Sequence, residues 1–203
     1  MSEPSCAAVI LAAGASRRLG QAKQLVKIDG KPLLGRTVRL ADQAGCQPIA
    51  VVLGFEAEQM RSAFDGFGVI VAVNEDWRAG MGSSMRCGVE TVLHISPRPE
   101  NILLLVCDQF RLSADVLRQL LRLRGVANYP ITAARYSGRL GVPAVFSSIF
   151  FPDLLDVSGD RGARGILERN AARVGAVDFL EGELDLDTPD DLERSTVLSG
   201  TAK

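Results

Sequence analysis

A chain of 203 residues fits one domain and buries roughly 70% of its unfolded surface, so its core needs no disulfide or metal staple. Apolar residues make up 47% and charged residues 23%, too apolar a balance for a disordered chain. With 23 basic against 24 acidic side chains the net charge is −1, which argues against a nucleic-acid binder acting through its overall field.

The apolar periods alternate along the chain. Residues 7–11 (Ala-Ala-Val-Ile-Leu) form a continuous apolar run of strand length, as in a strand buried on both faces. Residues 32–44 carry Leu33, Leu34, Val38, Leu40 and Ala41 at helical spacing and stop at Gly45. A strand over 49–53, a short helix over 57–64 and a strand over 69–73 follow. A helix is expected over 83–95 with Ser83 or Ser84 as its cap, then the most hydrophobic strand, 101–106, which runs into Cys107-Asp108. Beyond it the pattern gives a helix over 113–123, a strand over 131–136, a short extended piece over 141–146 and helices over 147–155 and 163–171. A strand over 174–179 and a closing helix over 189–197 with Pro189 in its first turn end the pattern. Strands separated by helices at this spacing imply βαβ crossovers. The fold class is α/β, a single three-layer domain with a mainly parallel central sheet.

Several functions are excluded by what is missing. The one histidine, His94, lies at an expected helix end, where a cation suits the dipole. Ser-His-Asp and Cys-His catalysis and histidine metal sites therefore drop out. Cys6, Cys46, Cys87 and Cys107 have neither C-x-x-C nor zinc spacing and read as small hydrophobes of a reducing compartment. The apolar run 6–13 is too short to span a bilayer, and the opening Met-Ser-Glu-Pro-Ser lacks the positive charge of a signal peptide. A cytoplasmic protein with no membrane or nucleic-acid partner is expected.

Three segments fall at carboxyl ends of strands, where open parallel sheets bind ligands. In 11–23, Leu-Ala-Ala-Gly-Ala-Ser-Arg-Arg-Leu-Gly-Gln-Ala-Lys, glycines and small residues permit close backbone approach while Arg17, Arg18 and Lys23 supply positive charge. The spacing fits neither the Walker A loop nor G-x-G-x-x-G, so a phosphate cradle and an ordinary glycine-rich turn both remain open. Asp108 ends the most buried strand and is either a Mg²⁺ carboxylate or a turn residue. In 184–191, Asp185 and Asp187 alternate with leucines and would share one face of a strand, while Asp187 or Thr188 could simply cap the helix that Pro189 begins. The charge is also uneven. Residues 1–40 hold seven Lys or Arg against Glu3 and Asp29, and 178–193 hold eight Asp or Glu and no Lys or Arg. That division is either polyanion against cation or plain solvated surface. Taken together, a basic glycine loop and two carboxylate sites at later strand ends are what metal-assisted nucleotidyl transfer requires.

Leu11-Ala-Ala-Gly-x-Ser-x-Arg-x-Gly-x-x-Lys23 resembles the nucleotide-binding signature of nucleotidyltransferases with the nucleotide-diphospho-sugar-transferase-like fold. Five more segments resemble the molybdenum cofactor cytidylyltransferases within that group: 80–84 (Gly-Met-Gly-Ser-Ser), 107–109 (Cys-Asp-Gln), 141–143 (Gly-Val-Pro), 159–164 (Gly-Asp-Arg-Gly-Ala-Arg) and 185–189 (Asp-Leu-Asp-Thr-Pro). The resemblance implies a nucleotide-binding half over about 6–110 and an acceptor-binding half over about 111–197. It implies that Leu11, Ala12, Ala13, Gly14, Ala15, Arg17 and Lys23 bind the nucleoside triphosphate CTP, with Gly82, Ser83 and Ser84 at the base and ribose. Lys23, Arg17 and Asp108 would be catalytic, and Asp108 and Asp187 would bind Mg²⁺. Gly141, Pro143, Asp160, Arg161 and Arg164 would face the acceptor, a phosphorylated pterin cofactor. A downstream molybdoenzyme or its maturation chaperone is the implied partner. Two positions depart from the pattern: Phe110 stands where the group has Pro, and Leu19 where it has Met. The guanylyl-transferring relatives carry Gly at the position of Ala13 and Asp at that of Ala22, so the resemblance favours CTP over GTP. Guanylyl transfer, cytidylyl transfer to a sugar or polyol phosphate, and a non-catalytic carrier of the cofactor are the competing readings.

Overall fold

The first apolar run becomes β1 (Cys6–Leu11), buried along its whole length. In the computed structural model, which describes residues 5–95, 98–127 and 129–199, it lies near the middle of a seven-stranded sheet. Residues 1–4, on which the expected lack of a leader rests, are outside the described residues.

After the glycine loop and a short 3-10 turn at Lys23–Leu25, a two-stranded ribbon forms from β2 (Lys27–Ile28) and β3 (Lys31–Pro32). Its turn is Asp29-Gly30, both at positive φ (52° and 75°), the conformation that a two-residue hairpin loop demands. The Asp-Gly pair was the available signal for this ribbon, which the apolar pattern alone did not reveal. Then come α1 (Leu33–Gln43), β4 (Ile49–Leu53), the single-turn α2 (Ala57–Met60), β5 (Ile70–Val73), α3 (Met81–Leu93) and β6 (Asn101–Val106). The second half holds α4 (Ala114–Val126), β7 (Ile131–Tyr136), β8 (Arg139–Ser147), α5 (Phe151–Leu155), α6 (Arg164–Arg169), β9 (Val174–Asp178) and α7 (Pro189–Ser199).

The sheet order is β5-β4-β1-β6-β8-β7-β9. All neighbours run parallel except at β8, which is antiparallel to both β6 and β7. The piece read as short and extended over 141–146 is thus a nine-residue strand. It turns back from β7 through Ser137-Gly138, again a pair at positive φ, and fills the slot beside β6.

Side-chain alternation along β1 divides the apolar matter into two layers. Cys6, Ala8 and Ile10 join Leu34 and Val38 of α1 and Leu117 and Leu120 of α4 on one face. Ala7, Val9 and Leu11 join Met85, Val89 and Val92 of α3 with Leu154 of α5 and Ile166 of α6 on the other. At Gly88 a Cβ would fall 2.6 Å from the Val52 side chain and closer still to Val9, so this glycine lets α3 lie directly on the sheet. A third, small cluster unites Leu19, Val26, Ile28, Leu33, Phe110 and Leu186. The two positions that depart from the motif pattern, Leu19 and Phe110, therefore share one core.

The cap of α3 differs from expectation. The helix α3 begins at Met81 with Gly80 as N-cap, at φ 101°, and Ser83 turns its hydroxyl back onto the Gly80 carbonyl oxygen at 2.8 Å. The helix α4 is capped as a serine should cap it, with Ser113 Oγ accepting from the Val116 amide. His94 is the C-cap of α3 with Nδ1 2.6 Å from the Glu90 carbonyl oxygen, which accounts for it structurally. The four cysteines are free thiols.

Candidate active site

Register places the chemistry. Leu11 of β1 pairs with Val106 of β6, so the glycine loop and Asp108 leave adjacent strand ends side by side. The chain returns to the same spot at its far end, where Gln109 bridges Asp185 and the Leu186 amide donates to the Asp108 carbonyl oxygen at 3.1 Å. Residues 184–187 make only an isolated bridge there and do not form the strand that alternation suggested. Leu186 is fully buried, while Asp187 turns to the site. Of the two candidate caps Thr188 takes the role, because Thr188 and Asp191 bond each other's amides and hydroxyl at the start of α7, a reciprocal capping arrangement.

Lys23 lies between the two carboxylates. Its Nζ is 2.6 Å from Asp108 Oδ2 and 3.1 Å from Asp187 Oδ1. Burial pulls the ammonium pKa down, but the charge of Asp108, assisted by its hydrogen bond and by Asp187, outweighs this and holds the group above the ordinary lysine value. Arg18 closes the group from outside, with Nη2 2.7 Å from Asp187 Oδ2. Partial burial, and then the charges of Asp108 and Asp187, push the Asp185 carboxyl up to about 7. Burial and the Asp108 charge likewise push the Cys107 thiol up to about 12, so it is no nucleophile near neutrality.

The glycine loop owes its shape to a residue that sequence reading passed over. Gln24 is 1% exposed, and its Nε2 donates to the carbonyl oxygens of both Ala12 and Gly14 at 2.8 Å. A peptide's N–H points opposite to its C=O. Holding those two carbonyls inward therefore turns the amides of Ala13 and Ala15 the other way. Among the described residues no protein acceptor meets the amides of Ala13, Gly14 or Ala15, which is the state of an anion cradle.

These elements enclose a cleft of about 610 Å³ whose walls include the loop from Leu11 to Gly14, Lys23 and Asp108, faced by Trp77, Ser84 and Asp160. Arg17 stands exposed at its mouth and makes no ion pair among the described residues. Ala15 lies on an adjoining depression of about 300 Å³ that Arg18 and Asp187 also line. Gly82 is not on the cleft wall. It is where α3 meets the 157–158 backbone, a Cβ there falling 2.8 Å from the Val157 carbonyl oxygen. Ser83 accepts from Asn74 Nδ2 at 2.9 Å, and only Ser84 of that trio faces the cleft.

Of the expected acceptor residues, Asp160 shares the main cleft and Arg161 is exposed beside it. Arg164 pairs with Glu168 at 2.8 Å. Gly141 packs against the Tyr136 hydroxyl, and the 141–143 segment, which contains Pro143, borders Gln109, whose Nε2 donates to the Val142 and Gly182 carbonyl oxygens at 3.0 and 2.9 Å.

The donor set suits a divalent cation. Asp108 Oδ1 is buried and has no hydrogen-bond partner among the described residues, an orphan that a metal would satisfy. Among the described residues no three His, Cys, Asp or Glu side chains form a metal cage by themselves. That is how Mg²⁺-type ions bind when one or two carboxylates and substrate phosphates share the coordination.

A basic glycine loop beside a Lys-carboxylate cluster, at the strand ends of this sheet, is the site of a chain that is a nucleotidyltransferase by its family. Residues 8–174 match the family model of the MobA-like NTP transferase domain, and the chain belongs to that family. It is 32% identical to nicotine blue oxidoreductase of Paenarthrobacter nicotinovorans, covering 94% of this chain and 96% of the relative. It is 30% identical to purine catabolism protein PucB of Bacillus subtilis, over 95% and 97%. Among solved structures, Rv0371c of Mycobacterium tuberculosis in complex with manganese superposes with a TM-score of 0.72 at 29% identity, over 96% and 98% of the two chains.

Proposed function

We propose that the protein transfers a cytidylyl group from CTP to a phosphorylated pterin, the molybdenum cofactor in its molybdopterin form, and releases pyrophosphate. One observation carries this reading: Lys23, Asp108 and Asp187 meet within hydrogen-bonding distance beside a loop with three amides that no acceptor among the described residues meets. An oxygen of the acceptor's phosphate attacks the α-phosphorus. The bond from the α-phosphorus to the bridging oxygen breaks, and the electron pair leaves with pyrophosphate. Lys23, Arg17 and the loop amides hold the phosphates in line and neutralise the charge that builds on them. Asp108 and Asp187 would hold Mg²⁺, whose contribution when bound is to draw charge from the phosphate oxygens. Leu11, Ala12 and Ser84 flank the nucleoside, and Asp160, Arg161 and Arg164 are the groups assigned to the acceptor side. The pterin, and the preference for CTP, rest on the motif resemblance.

The name of the Paenarthrobacter relative makes a redox reaction the reading to test against. Pyrophosphate release is measured with each of CTP, GTP, ATP and UTP, Mg²⁺ and molybdopterin-bound cofactor. Release with CTP above the others is expected. Release with a sugar phosphate in place of the pterin, or oxidation of a reduced nicotinamide without pyrophosphate, overturns the assignment.

A further inference from the structure

The chain has one tryptophan, and the phosphate chemistry above gives it no task. Trp77 opens a short 3-10 turn between β5 and α3 and is the wall shared by the main cleft and the adjoining depression, both of which also reach Lys23 and Arg17.

The turn is built to hold that ring in place. Buried Asn74 donates through Nδ2 to Ser83 Oγ at 2.9 Å and Ser84 Oγ at 3.0 Å, and its Oδ1 accepts from the Asp76 amide at 3.0 Å. At Gly54 a Cβ would come 2.7 Å from the Trp77 Cβ and 2.8 Å from the Ala13 carbonyl oxygen. Trp77 and the glycine loop are thus seated together on the end of β4. Phe55 braces the indole edge-on, with ring centres 5.6 Å apart at 67°. The guanidinium of exposed Arg78 stands 4.5 Å from the ring centre. A partly exposed indole fixed from below and stacked with an arginine is the arrangement that takes flat rings, because stacking on either group tolerates many heterocycles.

We propose that Trp77 and Arg78 form a stacking platform for the planar heteroaromatic ring of a phosphate-bearing substrate. The inference rests on the nucleotidyl-transfer reading of the cleft and deepens it. Such a ring has two sources, the base of the nucleotide and the ring of the acceptor, and the platform borders the space for both. The phosphates of the same molecule would reach Lys23 and Arg17 from either side of the indole.

Because Trp77 is the sole tryptophan, its emission reports this site directly. CTP with Mg²⁺ and a pterin phosphate are titrated separately, with tripolyphosphate as the ring-free control, and affinities are checked by calorimetry. Saturable quenching by one ring-bearing ligand and none by tripolyphosphate is expected, and the ligand that quenches names the source. Trp77→Leu should weaken that ligand roughly tenfold, the order of one stacked base, in KM more than in kcat. Trp77→Phe, which keeps a ring face, should retain most of the affinity. If Trp77→Leu does not fold, Arg78→Ala on the exposed side serves, with a loss of about threefold or more. A folded Trp77→Leu with unchanged affinity for both ligands, or equal quenching by tripolyphosphate, overturns the platform. Pyrophosphate release with unaltered KM in Trp77→Leu removes the platform alone. Absent release from the wild type alongside intact quenching removes the transfer reading alone.

Discussion

Removing the amide of Gln24 is the most direct probe of how the phosphate loop is held. In Gln24→Ala two carbonyls lose their donor. That of Ala12, at 3% exposure, has no solvent to turn to, and an unsatisfied buried acceptor costs about 1–3 kcal/mol. That of Gly14 is exposed and regains water, so its loss adds less. The truncated side chain also leaves a small void. A total of about 2–4 kcal/mol follows, within the 5–15 kcal/mol by which such domains are stable, so the variant should fold. At about 2–4 °C per kcal/mol for this size, its Tm should drop by roughly 5–15 °C in a calorimetric scan, with weaker binding of CTP as the Ala13 and Ala15 amides lose their orientation. Gln24→Glu adds a sign. An ionised carboxylate would face two carbonyl oxygens, whereas the protonated form still donates one bond. The group's pKa is then raised by folding, so its stabilising form exists at low pH and is lost as pH rises through that value. The Tm deficit of Gln24→Glu should therefore be smaller at pH 5 than at pH 8. A Gln24→Ala protein with the wild-type Tm and CTP affinity would refute the clamp.

Three further outcomes are expected. Asp108→Asn should cut turnover at least about 100-fold while the fold persists, because a principal charge at the metal position is lost; near-normal turnover at low Mg²⁺ counts against the assignment. Lys23→Met should bind Mn²⁺ more tightly than the wild type in the absence of nucleotide, since the ammonium now lying 2.6 Å from Asp108 and 3.1 Å from Asp187 competes with the ion; unchanged or weaker binding by calorimetry contradicts that. Ala13 lines the cleft yet is only 5% exposed, so Ala13→Gly should raise the GTP-to-CTP ratio of kcat/KM by roughly tenfold, the low end of what one methyl group decides. Equal use of the two nucleotides by the wild-type enzyme speaks against the steric basis.

The sequence by itself determined the layered α/β architecture. Fully apolar runs such as 7–11 and 102–106, of strand length and bounded by turn residues, read as strands covered on both faces, and the 3.6-residue stripes of 32–44 and 113–123 supply the covering helices. It also marked the chemistry, because a basic loop free of bulky residues and a carboxylate at a buried strand end are unusual compositions at positions where sheets bind ligands. Tertiary structure alone decided which partners meet. That Arg18 and not Arg17 pairs with Asp187, that Gln24 reaches back to Ala12 and Gly14, and that Lys23 spans Asp108 and Asp187, 85 and 164 residues away, depend on where loops end in space. Local periodicity carries none of this. The antiparallel β8 and the seating of Trp77 on Gly54 belong to the same class. Strand order and close approach are settled by how distant segments share one buried volume, and a pattern read along the chain records only which face each residue prefers.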